Sequence, residues 1–130
     1  MNTEKMPLEN ENEPSCLGAV SGSTGSERII CAANYYNDGK VEVHSCKNIE
    51  VGFVICGHRH HNCIGTFVKM VGFPYSDEAH KLQDTEIQGF LTSKNRFVTR
   101  EEGLIIALRE NQVMDIKEIR GNRLFSEDLY

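Results

Sequence analysis

Apolar residues return along this chain in two rhythms. Arg28-Ile-Ile-Cys-Ala-Ala-Asn-Tyr-Tyr36 reads as a strand and Asn37-Asp-Gly39 as a tight turn. Lys40-Val-Glu-Val-His-Ser45 alternates apolar and polar side chains and reads as the returning arm of a β-hairpin. Ile49 to Cys56 supplies a third strand, which breaks at Gly57. Ile64, Phe67, Val68 and Val71 then recur at helical spacing until Gly72 and Pro74, predicting a helix over residues 62–72 with Asn62 as its N-cap. Tyr75 to Asp84 predicts a short helix or an ordered loop.

In the second half, two short extended pieces, Ile87 to Leu91 and Arg96 to Val98, flank a Ser-Lys-Asn turn. Thr99-Arg-Glu-Glu102 matches a capping box, in which the threonine hydroxyl takes an orphan N–H and Glu102 reaches back. A second helix therefore starts near Arg100, with Leu104, Ile105, Ala107 and Leu108 as its apolar face and Asn111 as its stop. The chain then runs irregularly to Leu124-Phe-Ser-Glu-Asp-Leu-Tyr130, where Leu124, Phe125 and Leu129 are expected to tie it to the core. No internal repeat is visible.

The first 26 residues show scarcely any apolar periodicity and end in Ser21-Gly-Ser-Thr-Gly-Ser26. Such a segment cannot bury enough apolar surface to offset its ordering entropy, so residues 1–26 are expected to form a disordered acidic tail. Residues 27–130 are then one domain. The pattern predicts an α+β fold: a small antiparallel sheet with two principal helices.

Composition narrows the function classes. No apolar stretch approaches the roughly 20 residues that span a bilayer, and the N-terminus is acidic where a secretory signal is basic. No membrane association and a cytoplasmic location are expected. Net charge is −5, of which the tail carries about −3, leaving no basis for a broad duplex nucleic-acid face, although a local basic pocket is compatible. Five cysteines, with no CxxC pair, argue against a disulfide framework; Cys31 and Cys56 fall inside predicted strands and are read as small core residues.

Candidate chemistry concentrates in Cys56-Gly-His-Arg-His-His-Asn-Cys63. A strand end leading into a helix N-terminus offers free N–H groups and a favourable dipole to an anion, so Arg59, His60 and His61 form a candidate phosphate or ribose grip. The same histidines and cysteines supply zinc-type ligands, but without the CxxC or HExxH spacing that makes a metal signal strong. A solvated polar turn is the plain alternative. Gln88-Gly-Phe90 and Asn95-Arg-Phe97 bring an amide, aromatic rings and Arg96 around one turn, which suits purine stacking; the commoner arrangement buries both rings. Ser126-Glu-Asp128 carries acceptors for ribose hydroxyls, and there is no GxSxG elbow for a serine hydrolase.

Together, Gly57-His-Arg-His-His61, Gln88-Gly-Phe90, Arg96-Phe-Val-Thr-Arg-Glu-Glu102 with its alanine-bearing helix, and Leu124-Phe-Ser-Glu-Asp-Leu-Tyr130 resemble the phage anti-Thoeris sponge proteins. That family sequesters the cyclic ADP-ribose isomer made by bacterial immune TIR enzymes, and some relatives are linked to cyclic oligonucleotide signals at a separate site. The resemblance spreads over most of residues 28–130. It implies binding without turnover, no cofactor, and homodimers or assemblies of dimers that hold ligand near subunit contacts. Carried onto this chain, it makes Arg59, His60, His61, Phe90, Arg96, Phe97, Arg100 and Asp128 the candidate ligand contacts. The alternative is a metal-dependent nucleotide or phosphoester hydrolase built on the Cys/His cluster.

Overall fold

The computed structural model describes residues 26–130. The disordered tail expected over residues 1–26 lies outside the described residues, save for Ser26. Four strands form one antiparallel sheet in the order β2-β1-β3-β4: β1 is Ile29–Val41, β2 Val51–Gly57, β3 Ile87–Thr92 and β4 Phe97–Thr99. Among the described residues three helices complete the α+β fold: α1 His60–Val71, α2 Asp77–Gln83 and α3 Arg100–Arg109. Single 3-10 turns follow at Ile116–Glu118 and Ser126–Asp128.

The first hairpin departs from the expected one. Asn37-Asp38-Gly39 does not turn the chain back. Asn37 Oδ1 accepts from Gly39 N and Asp38 Oδ1 from Lys40 N, so the amide and carboxylate satisfy backbone donors inside a bulge, with Gly39 at φ 76°. Register with β2 runs from Tyr36↔Phe53 to Val41↔Val51, five steps on β1 against two on β2. Residues 40 and 41 therefore belong to β1, and the rest of the expected returning arm is irregular. Residues 42–50 instead cross one face of the sheet. There Asn48 imitates a strand neighbour for β4, accepting from Phe97 N at 2.9 Å and donating to Phe97 O at 2.7 Å.

Strand alternation divides the core. On one face Ala32, Tyr36 and Ile55 meet Cys63 and Phe67 of α1, with the Tyr36 and Phe67 rings stacked at 4.3 Å. Farther along the same face, Phe90 and Val98 pack under Leu104, Ile106 and Ala107 of α3 and under Leu124. On the opposite face Ala33, Leu91 and Phe97 lie under Cys46 and Ile49 of the crossing segment. Fully burying one such ring contributes roughly 2–3 kcal/mol, so the segment 42–50 is a structural layer rather than a loose loop.

Both long helices are rotated relative to the expected apolar faces. α1 turns His60, Cys63 and Phe67 inward and leaves Ile64 exposed; α3 turns Gly103, Leu104, Ile106 and Ala107 inward and leaves Ile105 and Leu108 outside. The α3 capping box forms as read, Glu102 N donating to Thr99 Oγ1 and Thr99 N to Glu102 Oε1. For α1, Arg59 is the N-cap; Asn62, expected there, sits three residues on and accepts from Arg59 N at 2.9 Å. Gln112 closes the domain by exchanging two hydrogen bonds with the backbone of Ile29.

Candidate functional site

The C-terminal segment lies alongside the two long helices and reaches most of the polar residues of interest. Leu124 N donates to Arg100 O, and Arg100 Nη1 returns a bond to Leu124 O at 2.8 Å. At the far end the Tyr130 ring stacks on His58 at 4.4 Å, its hydroxyl donates to His58 O, and the Arg59 guanidinium lies over the same ring and donates to the Tyr130 carbonyl.

The Cys/His cluster is dispersed by this packing. His58 is engaged by Tyr130, while buried His60 bonds through Nε2 to Gly89 O at 2.8 Å and sets its ring edge-on to Phe90. Burial lowers the His60 pKa below its usual 6.5, the Gly89 bond opposing. His61 is exposed on the first turn of α1. Among the described residues no three His, Cys, Asp or Glu side chains converge as a metal-ligand set. Arg59 is half-buried, and its Nη1 is shielded from water without a hydrogen-bond partner among the described residues.

The aromatic pair is also separated. Phe90 pairs with Val98 and Leu91 with Phe97, so Phe90 and Phe97 point to opposite faces of the sheet. Both are buried, and in this arrangement they do not enclose a common base. Arg96 turns toward the start of the domain, where it holds Glu27 through two bonds of 2.7 and 3.0 Å while Thr92 Oγ1 donates to the same carboxylate. Buried Asp128 accepts from Phe125 N at 2.9 Å and so caps the last 3-10 turn.

Arg100 stands differently. It begins α3, is buried, and donates through Nη2 to Gln88 Oε1 at 2.6 Å. Gln88 passes the network to Glu86 Oε2 at 3.0 Å, which Asn34 also reaches at 2.9 Å from within the core. Above this polar floor opens a cleft of about 430 Å³ lined by Glu86, Ile87, Gln88, Thr99, Arg100, Glu101 and Arg123. Its size falls within the roughly 300–1,000 Å³ of small-molecule sites.

Beside the cleft, the guanidiniums of Arg100, Arg120 and Arg123 gather about the Phe125 ring at 4.5, 4.1 and 5.6 Å from its centroid. The fold sets them there by an isolated bridge between Arg120 and Arg123, closed through Gly121 at φ 65°. Among the described residues no carboxylate lies within ion-pair distance of any of the three. Desolvation and then the charge of Arg123 pull the Arg100 pKa down from its usual value, with Glu127 opposing. Three cations over one ring gain from the aromatic face but repel one another, so an anion placed among them relieves strain in charge. Arg120, Arg123 and Phe125 were not singled out from the sequence as contacts; the available signal was the Arg-x-x-Arg-x-Phe spacing across a Gly-Asn turn.

A family model described as Phage T4 y16D protein matches residues 28–130. There is no significant match among curated proteins or among solved structures. Among the described residues no helix is long and apolar enough to cross a membrane.

Proposed function

The chain belongs to the phage T4 y16D protein family, and on that premise we propose that it binds and sequesters a cyclic, nucleotide-derived signalling molecule without degrading it. The observation that carries this reading is the guanidinium cluster of Arg100, Arg120 and Arg123 about Phe125, at the edge of an open cleft and lacking carboxylate partners among the described residues. Arginine forks match phosphate oxygens two at a time, and the charge-assisted bonds they form are the strong ones.

The cleft is not uniformly basic. Glu86 and Glu101 line it with Gln88 and Thr99, so a bare phosphate would meet negative charge on one side. A ligand bearing phosphate at one end and hydroxyl or amine donors at the other satisfies both sides, and that is the chemistry of a nucleotide. Cyclic ADP-ribose isomers, the ligands of the resembled sponge proteins, combine these groups, and cyclic oligonucleotides do so as well.

The proposal is one of binding without turnover. The cleft carboxylates are Glu86, which accepts from Asn34 and Gln88, and Glu101 on the exposed face of α3, and the reading assigns both to ligand hydroxyls or amines. A metal-dependent hydrolase would draw on the Cys/His residues, whose side chains are dispersed. The reading further places the protein in the cytoplasm of an infected host, and has a second copy of the chain complete the open side of the cleft.

Incubation with a cyclic ADP-ribose isomer tests the proposal. Calorimetry is expected to show binding, and heat denaturation is expected to release the ligand chemically intact. Steady conversion to a new product would overturn it, as would the absence of binding to cyclic ADP-ribose isomers and cyclic oligonucleotides alike.

A further inference from the structure

The face of the sheet away from the helices carries two cysteines with no part in the cleft. Cys31 pairs with Leu91 and Cys56 with Ala33, and both of those partners belong to the cluster under residues 42–50. Cys31 and Cys56 therefore point the same way, as diagonal neighbours on the adjacent antiparallel strands β1 and β2. Each thiol is the other's strongest electrostatic partner, and the backbone of Gly57 acts on Cys31 as well. Accessibility distinguishes this pair: Cys46 and Cys63 are buried, whereas Cys31 is partly open and Cys56 exposed, contrary to the expectation that Cys31 and Cys56 are core residues.

We propose that Cys31 and Cys56 form a redox-active dithiol that reacts with low-molecular-weight disulfides of the oxidised-glutathione class, Cys31 attacking and Cys56 resolving. The hydrogen bond from Cys56 holds the Cys31 pKa down to about 7 against the opposing effect of burial, with Gly57 assisting. Cys56 is pushed up by the same bond and by burial, so it remains the protonated donor while Cys31 carries the charge. The other titratable groups that interact with Cys31 are Cys63 of α1 and Tyr130. Nucleophile and proton donor are thus assigned before any oxidant arrives.

The chemistry balances in two exchanges. The Cys31 thiolate attacks one sulfur of the small disulfide, whose S–S bond breaks, and the departing thiolate takes up a proton. Cys31, now in a mixed disulfide, no longer carries the charge that raised Cys56. Cys56 gives its proton to solvent and attacks Cys31 Sγ, expelling the second small thiolate, which is protonated in turn. Two protein thiols are oxidised to one disulfide, and one small disulfide is reduced to two thiols. Closure needs the sulfurs of these diagonal neighbours to approach to about 2.05 Å. β1 can give at this point, because its register with β3 shifts between Ile29 and Cys31.

Treatment of the full chain with oxidised glutathione, followed by intact-mass and peptide mapping, tests this. The wild type is expected to lose two hydrogens and to yield a cross-linked peptide pair containing Cys31 and Cys56. Cys56→Ser is expected to stop at glutathione on Cys31, and Cys31→Ser to leave residue 56 unmodified over the same time. Glutathione on Cys56 in Cys31→Ser at the wild-type rate would overturn the assignment of roles. A wild type that stops at the mixed disulfide would overturn the dithiol itself.

Discussion

Arg100 Nη2 donates to Gln88 Oε1 at 2.6 Å, while Nη1 of the same side chain donates to Leu124 O at 2.8 Å. One buried guanidinium thereby fastens α3 to β3 and to the C-terminal segment. Arg100→Ala is expected to strand both acceptors and to cost roughly 2–3 kcal/mol in denaturant unfolding. Arg100→Lys, with a point charge in place of the fork, is expected to recover only part of this. An unchanged midpoint in Arg100→Ala would show that the network is incidental to stability.

Arg120 and Arg123 share the ring of Phe125 with Arg100 but are exposed. Arg120→Ala and Arg123→Ala are expected to leave unfolding within about 0.5 kcal/mol of wild type. Each is expected to weaken ligand affinity about tenfold or more in calorimetry, since a lost charge-assisted phosphate bond costs roughly 1.5–3 kcal/mol. Added salt is expected to weaken wild-type binding more than that of the double variant. Wild-type affinity in the double variant would remove the cluster from the site.

Gly89 is placed where no side chain fits. A Cβ built there would overlap the main-chain oxygen of Val98 and would come within 2.8 Å of Phe97 Cζ. Gly89→Ala is expected to cost about 3 kcal/mol, at the upper end of typical overpacking penalties, and to loosen the His60 bond to Gly89 O. Denaturant titration and amide exchange across β3 and β4 would detect both effects.

Acid is expected to destabilise the fold in two windows. Burial lowers the His60 pKa, so the unfolded chain binds the extra proton first; the stability held above about pH 6.5 falls as pH drops through the lower folded value. Burial tends to raise the Glu27 pKa, but the hydrogen bonds from Arg96 and Thr92 and the Arg96 charge outweigh it and leave it lowered. Its contribution is present above about pH 4.5 and disappears as pH falls through the folded value. His60→Gln is expected to flatten the upper part of a stability–pH curve and Glu27→Gln the lower part. Unaltered curves in both variants would refute these assignments.

Assembly is tested by sedimentation with and without ligand. A dimer, or a multiple of dimers, is expected if a second copy completes the cleft. A strictly monomeric protein that binds with full affinity would refute that part of the proposal.

Local chemistry in this chain was legible where it acts locally. The Thr99–Glu102 box and the third strand were readable because their determinants lie within a few residues of one another. Asn37-Asp38-Gly39 misled because its side chains can satisfy either a turn or a bulge, and the choice rests with the long register of β1 against β2 and β3. Charged residues were hardest to place. Arg59, Arg96 and Arg100 look alike in sequence, yet one finds Tyr130, one finds Glu27, and one finds Gln88 and Leu124. Contacts spanning 12 to 71 residues decide those outcomes, and no local pattern encodes them.

The segment carrying Arg120, Arg123, Phe125 and Tyr130 also separates what recognises an anion from most of what holds the sheet together. The hydrophobic clusters of the sheet and its helices draw mostly on residues before 108. The cation cluster cannot exist without residues 120–125. Exchange of Arg120 and Arg123 would then leave a folded molecule that is blind to an anion, so recognition can be removed without dismantling the scaffold that presents it.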